Sequence, residues 1–159
     1  MKCWYVLNTK PKKERQVERL FQEAGFEVYN PMIKQDNRAY PFFPGYTFLR
    51  FEHPDQYRLV KYTRGVKKVV GSPAGPISIP DNAIAQIKSR EINGFVELDK
   101  YGEEPAMGDE IEIMEGPMKG LKGVFTKEMS QRDRVLILLN YVAYQGQLII
   151  EKKKIKKVL

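Results

Sequence analysis

Residues 93–104, NGFVELDKYGEE, carry four acidic side chains against one lysine, contain two glycines and run into Pro105. Such a stretch has too little apolar surface to bury and reads as an acidic, flexible linker. It therefore reads as the joint between two folded units, 1–92 and 105–159, of the 159 residues. The charge divides with them. Residues 1–92 hold 16 basic and 9 acidic side chains, and residues 105–159 hold 10 basic and 7 acidic. An excess of positive charge on the larger unit makes a polyanion, most often nucleic acid, a natural partner.

Several functional classes drop out on composition. No run of 18 apolar residues occurs, so no membrane-spanning helix is expected. The start, MKCWYVLNTKPKKER, lacks the apolar run and small-residue cleavage site of a secretory signal. One cysteine, Cys3, excludes an intramolecular disulfide framework and suits a reducing cytoplasm. With a single histidine, His53, no Cys/His zinc site can form, and neither a metal nor another cofactor is expected. His53 lies before Pro54 with no nucleophile elbow elsewhere, and GSPAG at 71–75 lacks the spacing of a phosphate-binding loop, reading as a turn. The carboxylates Asp109, Glu110, Glu112 and Glu115 read as a solvated strand face. Nothing points to an enzyme.

The first unit patterns as an α+β domain. CWYVLN at 3–8 suits a buried strand. Val17, Leu20, Phe21 and Ala24 fall on one face of a helix, with Thr9 as its expected cap and Gly25 as its stop. A second strand is expected over 26–29, with Met32–Ile33 continuing it and a polar loop or hairpin tip at 34–41. YTFLRF at 46–51 is the strongest strand signal; its alternation sets Tyr46 and Phe48 on one face and Leu49 and Phe51 on the other. A short helix after Pro54, a strand at 66–70 and a helix capped by Asp81 and carrying Ala83, Ile84, Ile87 and Ile92 complete a ferredoxin-like, split βαβ order.

The second unit alternates at 109–114 (DEIEIM), turns at Gly116-Pro117 and Gly120, and resumes at Val124-Phe125, with further apolar runs at 134–139, 141–145 and 147–151. A helix over 134–145 is an alternative reading of this pattern. Gly146 and the β-branched Val135, Ile137, Val142, Ile149 and Ile150 favour strands, so the expectation is a small SH3-like β-barrel.

The segments WYVLNTKP at 4–11, FPGYTFLRF at 43–51 and YTRGVKKVVG at 62–71 resemble the N-terminal (NGN) domain of the NusG/RfaH transcription factors, and GDEIEIMEGPMKGLKGVFTK at 108–127 resembles their KOW domain. They follow the family's order along nearly the whole chain. The resemblance implies a monomeric cytoplasmic factor that binds bacterial RNA polymerase, acts in transcription elongation and antitermination, and touches the non-template DNA strand. It makes Phe43, Tyr46 and Phe48 candidates for the contact with the polymerase clamp helices, and Lys10, Arg15, Arg64, Lys67 and Lys68 candidates for DNA. Val142 takes the position of an apolar residue on the KOW barrel that meets ribosomal protein S10; the termination factor Rho and RNA are other family partners of this domain. At 56–58 the chain has Gln-Tyr-Arg where RfaH has a His-Thr-Thr contact to the polymerase gate loop. The compact length and RVLILLNYV at 134–142 look more like a specialised RfaH-type paralogue than a housekeeping NusG. RfaH-type factors also fold this second domain as a helical hairpin masking the polymerase site, whereas the residue preferences here argue for the barrel. A ribosome-associated or other RNA-binding KOW protein is the rival reading.

Overall fold

The computed structural model describes residues 1–97 and 130–158, with side chains described through 147. Its centre is a four-stranded antiparallel sheet built from β1 (Lys2–Thr9), β2 (Glu27–Tyr29), β5 (Tyr46–Glu52) and β6 (Val66–Val69) in the order β2-β5-β1-β6. This is the ferredoxin-like arrangement the sequence pattern predicts. Period-two alternation in the paired strands β1 and β5 sorts their side chains onto two faces. Tyr5, Leu7, Leu49 and Phe51 bury on one face with Val17 and Phe21 of α1 (Glu14–Glu23) and Val60 of α2 (Tyr57–Lys61). Trp4, Val6 and Phe48 bury on the other with Ala83, Ile84 and Ile87 of α3 (Asp81–Ser89).

Local chemistry moves several element ends. Thr9 does not cap α1, because a turn intervenes in which Lys12 adopts a φ of 61° and the Lys13 N–H bonds the Lys10 carbonyl at 3.1 Å. The buried Glu14 carboxylate instead accepts the Gly45 N–H at 2.9 Å, tying the helix start to the turn before β5. Ala24 falls outside the buried stripe, and Gly25, at φ 85°, ends the helix as expected. Asp81 is the first residue of α3 rather than its cap. The polar segment 34–41 is mostly strand: β3 (Met32–Gln35) pairs with β4 (Arg38–Pro41) around an Asp36-Asn37 turn with positive φ at both residues. Gly71–Ser72 (β7) and Gly75–Pro76 (β8) pair around Pro73-Ala74, so GSPAG is a turn.

The expected linker begins too early. Asn93-Gly94, with φ of 55° and 84°, turns a hairpin between β9 (Glu91–Ile92) and β10 (Phe95–Val96). Val96 is buried in the core, Ile92 is exposed, and the Tyr29 hydroxyl donates to the Glu91 carboxylate, fastening the hairpin to the sheet. Residues 98–129, including the strands expected at 109–114 and 124–125, lie outside the described residues.

The largest departure follows. Where strands are expected at 134–139, 141–145 and 147–151, the chain forms one helix, α4 (Gln131–Val158). The start is set by reciprocal capping. The Asp133 N–H donates to Ser130 Oγ at 3.1 Å while the Ser130 N–H donates to Asp133 Oδ2 at 3.3 Å. β-Branched residues disfavour a helix by only tenths of a kcal/mol each, so burial of one helical stripe outweighs them. Gly146 has a use inside this helix: an added Cβ there would sit 2.7 Å from Ile77 Cδ1, so the missing side chain permits close approach to the domain.

Gly65 is required at the turn after α2. Its φ is 93°, and a Cβ would lie 2.8 Å from Val17 Cγ2 beneath α1. Gly65→Ala is expected to destabilise the domain by about 1–3 kcal/mol through backbone strain and overpacking, read as a lower midpoint in urea with an unchanged slope.

Candidate functional site

Two surfaces hold the candidate residues. The first is built on aromatic side chains. Phe42 and Phe43 follow β4 and bury fully, their rings edge-to-face at 4.9 Å. Phe43 meets Phe48 edge-to-face at 5.8 Å, and Phe48 stacks on Tyr29 at 6.1 Å. Lys88 closes the row, its Nζ 5.0 Å from the Tyr29 ring and 5.7 Å from the Trp4 ring. Tyr46, half-buried, packs against the same cluster. Burial, with the Glu91 hydrogen bond second, pushes the Tyr29 phenol well above its usual range.

This face is covered by α4. Arg134, Leu138, Tyr141 and Val142 recur at helical spacing and are all at most 2 % exposed. Leu138, Tyr141 and Val142 belong to the same buried cluster as Phe42, Phe43 and Phe48. Arg134 Nε–H donates to the Phe42 carbonyl at 2.8 Å, and its guanidinium lies 4.7 Å from the centre of the Phe42 ring. Burial lowers the pKa of that guanidinium and pushes the Tyr141 phenol up to about 12. Each apolar side chain in the seam contributes roughly 1.5–3 kcal/mol of gross burial energy.

Val142 does not lie on a barrel strand: it is a helical residue, 1 % exposed in the seam. The residues that hold α4 down, Arg134, Leu138 and Tyr141, are absent from the sequence candidates. Their signal was available in the Ser130–Asp133 capping pair followed by apolar positions at 138, 141 and 142.

The second surface is cationic and lies where β1 hands over to α1. The Lys10 N–H donates to the Gly65 carbonyl at 2.8 Å, setting Lys10 beside the Arg64–Gly65 turn. Lys10, Arg15, Arg64, Lys67 and Lys68 are all exposed. Two successive lysines face solvent because β6 is an edge strand with an irregular register. Asn8 opposes Lys68 while Thr9 opposes Val66, leaving Lys67 as an extra residue. The same irregularity lets Val66 and Val69 both bury with α1 and α2. Arg15 is the second residue of α1, and its charge also acts on Glu18. His53 is exposed, its ring edge-on to Tyr57 at 5.3 Å.

A sequence model for the family described as transcription termination factor nusG matches residues 2–88, more than half of the 159-residue chain. The chain belongs to the NusG family. The match covers the sheet, α1, α2 and nearly all of α3, so the α+β domain described above is the NusG domain. No curated protein sequence matches the chain. Among solved structures, one described as "Domain interaction in Thermotoga maritima NusG" is similar at 24 % identity and a TM-score of 0.44, covering 65 % of this chain and 62 % of that one. The chain therefore spans less than two thirds of that NusG structure. No helix among the described residues is long and apolar enough to cross a membrane.

Proposed function

We propose that this NusG-family chain is a transcription elongation and antitermination factor. Its aromatic face, with Phe43, Tyr46 and Phe48, docks on the clamp helices of RNA polymerase, and its cationic end holds the non-template DNA strand. In the free chain α4 masks the docking face, which fits an RfaH-type specialisation. The observation that carries this reading is the seating of Arg134, Leu138, Tyr141 and Val142 over the cluster that holds Phe43 and Phe48. Aromatic groups that bury well against an amphipathic helix suit docking on a helical partner. Both surfaces act by binding, without turnover. Recruitment of ribosomal protein S10, Rho or RNA through residues 105–159 then requires α4 to leave this face wherever Val142 is the contact.

The test compares the full chain with the fragment 1–97, which keeps the buried Val96, for binding to bacterial core RNA polymerase. Tighter binding by the fragment is the expected result. Equal binding would remove the masking role, and no binding by either would overturn the polymerase reading in favour of an RNA-binding KOW protein.

A further inference from the structure

The outer side of α2 carries apolar surface that the fold does not use. The helix is held to the core by the buried Val60, with Tyr57 packed partly buried against the same cluster. Tyr62 and Leu59, on either side of Val60, are 72 % and 61 % exposed. Lys61 stands between two rings, its Nζ 5.9 Å from the centre of Tyr57 and 5.8 Å from that of Tyr62. The Thr63 hydroxyl bonds back to the Leu59 carbonyl at 2.8 Å, fixing the end of the helix and the root of Tyr62. Residues 56–68 contain Arg58, Lys61, Arg64, Lys67 and Lys68 and no acid. An exposed aromatic ring set in a wholly cationic stretch is the chemistry of a platform for unpaired bases: phosphates meet the cations and a base stacks on the ring.

We infer that Tyr62 stacks an unpaired base of single-stranded DNA, with Lys61 and Arg58 beside it for the flanking phosphates and Leu59 extending the apolar ledge. The inference rests on the proposed DNA contact and adds to it a residue that distinguishes single strands from duplex, since a paired base offers no free face. Charge complementarity selects the occupant, because an apolar protein partner gains little from five cations without an acid. This platform lies on the α1–α2 side of the sheet, away from the face under α4, so the intact chain presents it.

The experiment measures anisotropy of a fluorescein-labelled single strand of about 12 nucleotides, its duplex and the RNA of the same sequence, between about 50 and 200 mM salt. The full chain, Tyr62→Ala, Tyr62→Phe and Arg64→Ala are compared. Tyr62→Ala is expected to weaken single-strand binding at least about fivefold with duplex binding changed less than about twofold. Tyr62→Phe retains wild-type binding, and Arg64→Ala weakens both forms and flattens the salt dependence. Unchanged single-strand binding by Tyr62→Ala, or an equal loss on duplex, would overturn the platform while leaving the DNA contact standing. Tighter binding of the RNA would overturn the assignment to DNA. If the wild-type chain bound none of the three, the DNA contact itself would fall.

Discussion

Replacing Leu138 with aspartate is expected to raise affinity for core RNA polymerase at least about tenfold. Leu138 is fully buried in the seam between α4 and the aromatic face. The substitution removes a side chain whose loss from a core costs about 2–5 kcal/mol and leaves a carboxylate that must find water. The residues around it are predominantly apolar and aromatic, so the cheaper route is for α4 to leave. The gain in affinity is limited by how strongly the closed form is populated, and each 1.4 kcal/mol of masking corresponds to a factor of about ten. Leu136, 50 % exposed on the outer side of the same helix, supplies the control. Leu136→Asp is expected to leave polymerase binding within about twofold, because it loses no buried contact. Titration of labelled polymerase with both variants separates a specific seam from general damage to the helix.

In the opened Leu138→Asp chain, Tyr46→Ala is expected to lower polymerase affinity about tenfold or more, the effect of deleting an aromatic anchor from the middle of an interface. Tyr46 suits this test because it is half-buried and packs against the cluster without being one of its buried members. Its loss is expected to shift the melting temperature by no more than about 5 °C. Phe48, at 1 % exposure between Phe43 and Tyr29, serves the core itself, and its truncation would cost about 3–5 kcal/mol and confuse unfolding with lost binding. Unaltered affinity of Tyr46→Ala in the opened chain would remove this residue from the docking face.

The central sheet and the helices packed on it are legible in the sequence because their pattern and their packing agree. The alternation of YTFLRF placed Tyr46 and Phe48 opposite Leu49 and Phe51, and the two buried clusters divide in that way. Turn chemistry depends on position more than on composition: Asn93-Gly94 is a two-residue hairpin signal, but it sits among acids, whose composition reads as linker. The C-terminal run is ambiguous for a deeper reason. RVLILLNYV satisfies strand preference and helical period together, so the deciding energy comes from the surface it meets. Arg134 shows this well: its charge looks solvated in the sequence, yet it is 1 % exposed, and it gains a carbonyl and a ring only once Phe42 is beside it.

The edges of the four-stranded sheet carry a consequence of their own. One edge, β2, is three residues long; the other, β6, is bulged and lined by Lys67 and Lys68. Short, twisted and charged edges resist pairing with the strands of another molecule. A factor that uncovers an aromatic face when α4 departs runs a risk of self-association, and these edges remove its most direct route, the growth of a sheet across two chains. The lysines proposed to meet DNA phosphates are thereby also the guards of solubility in the open form. Neutralising them for lower DNA affinity would bring aggregation of the opened chain closer.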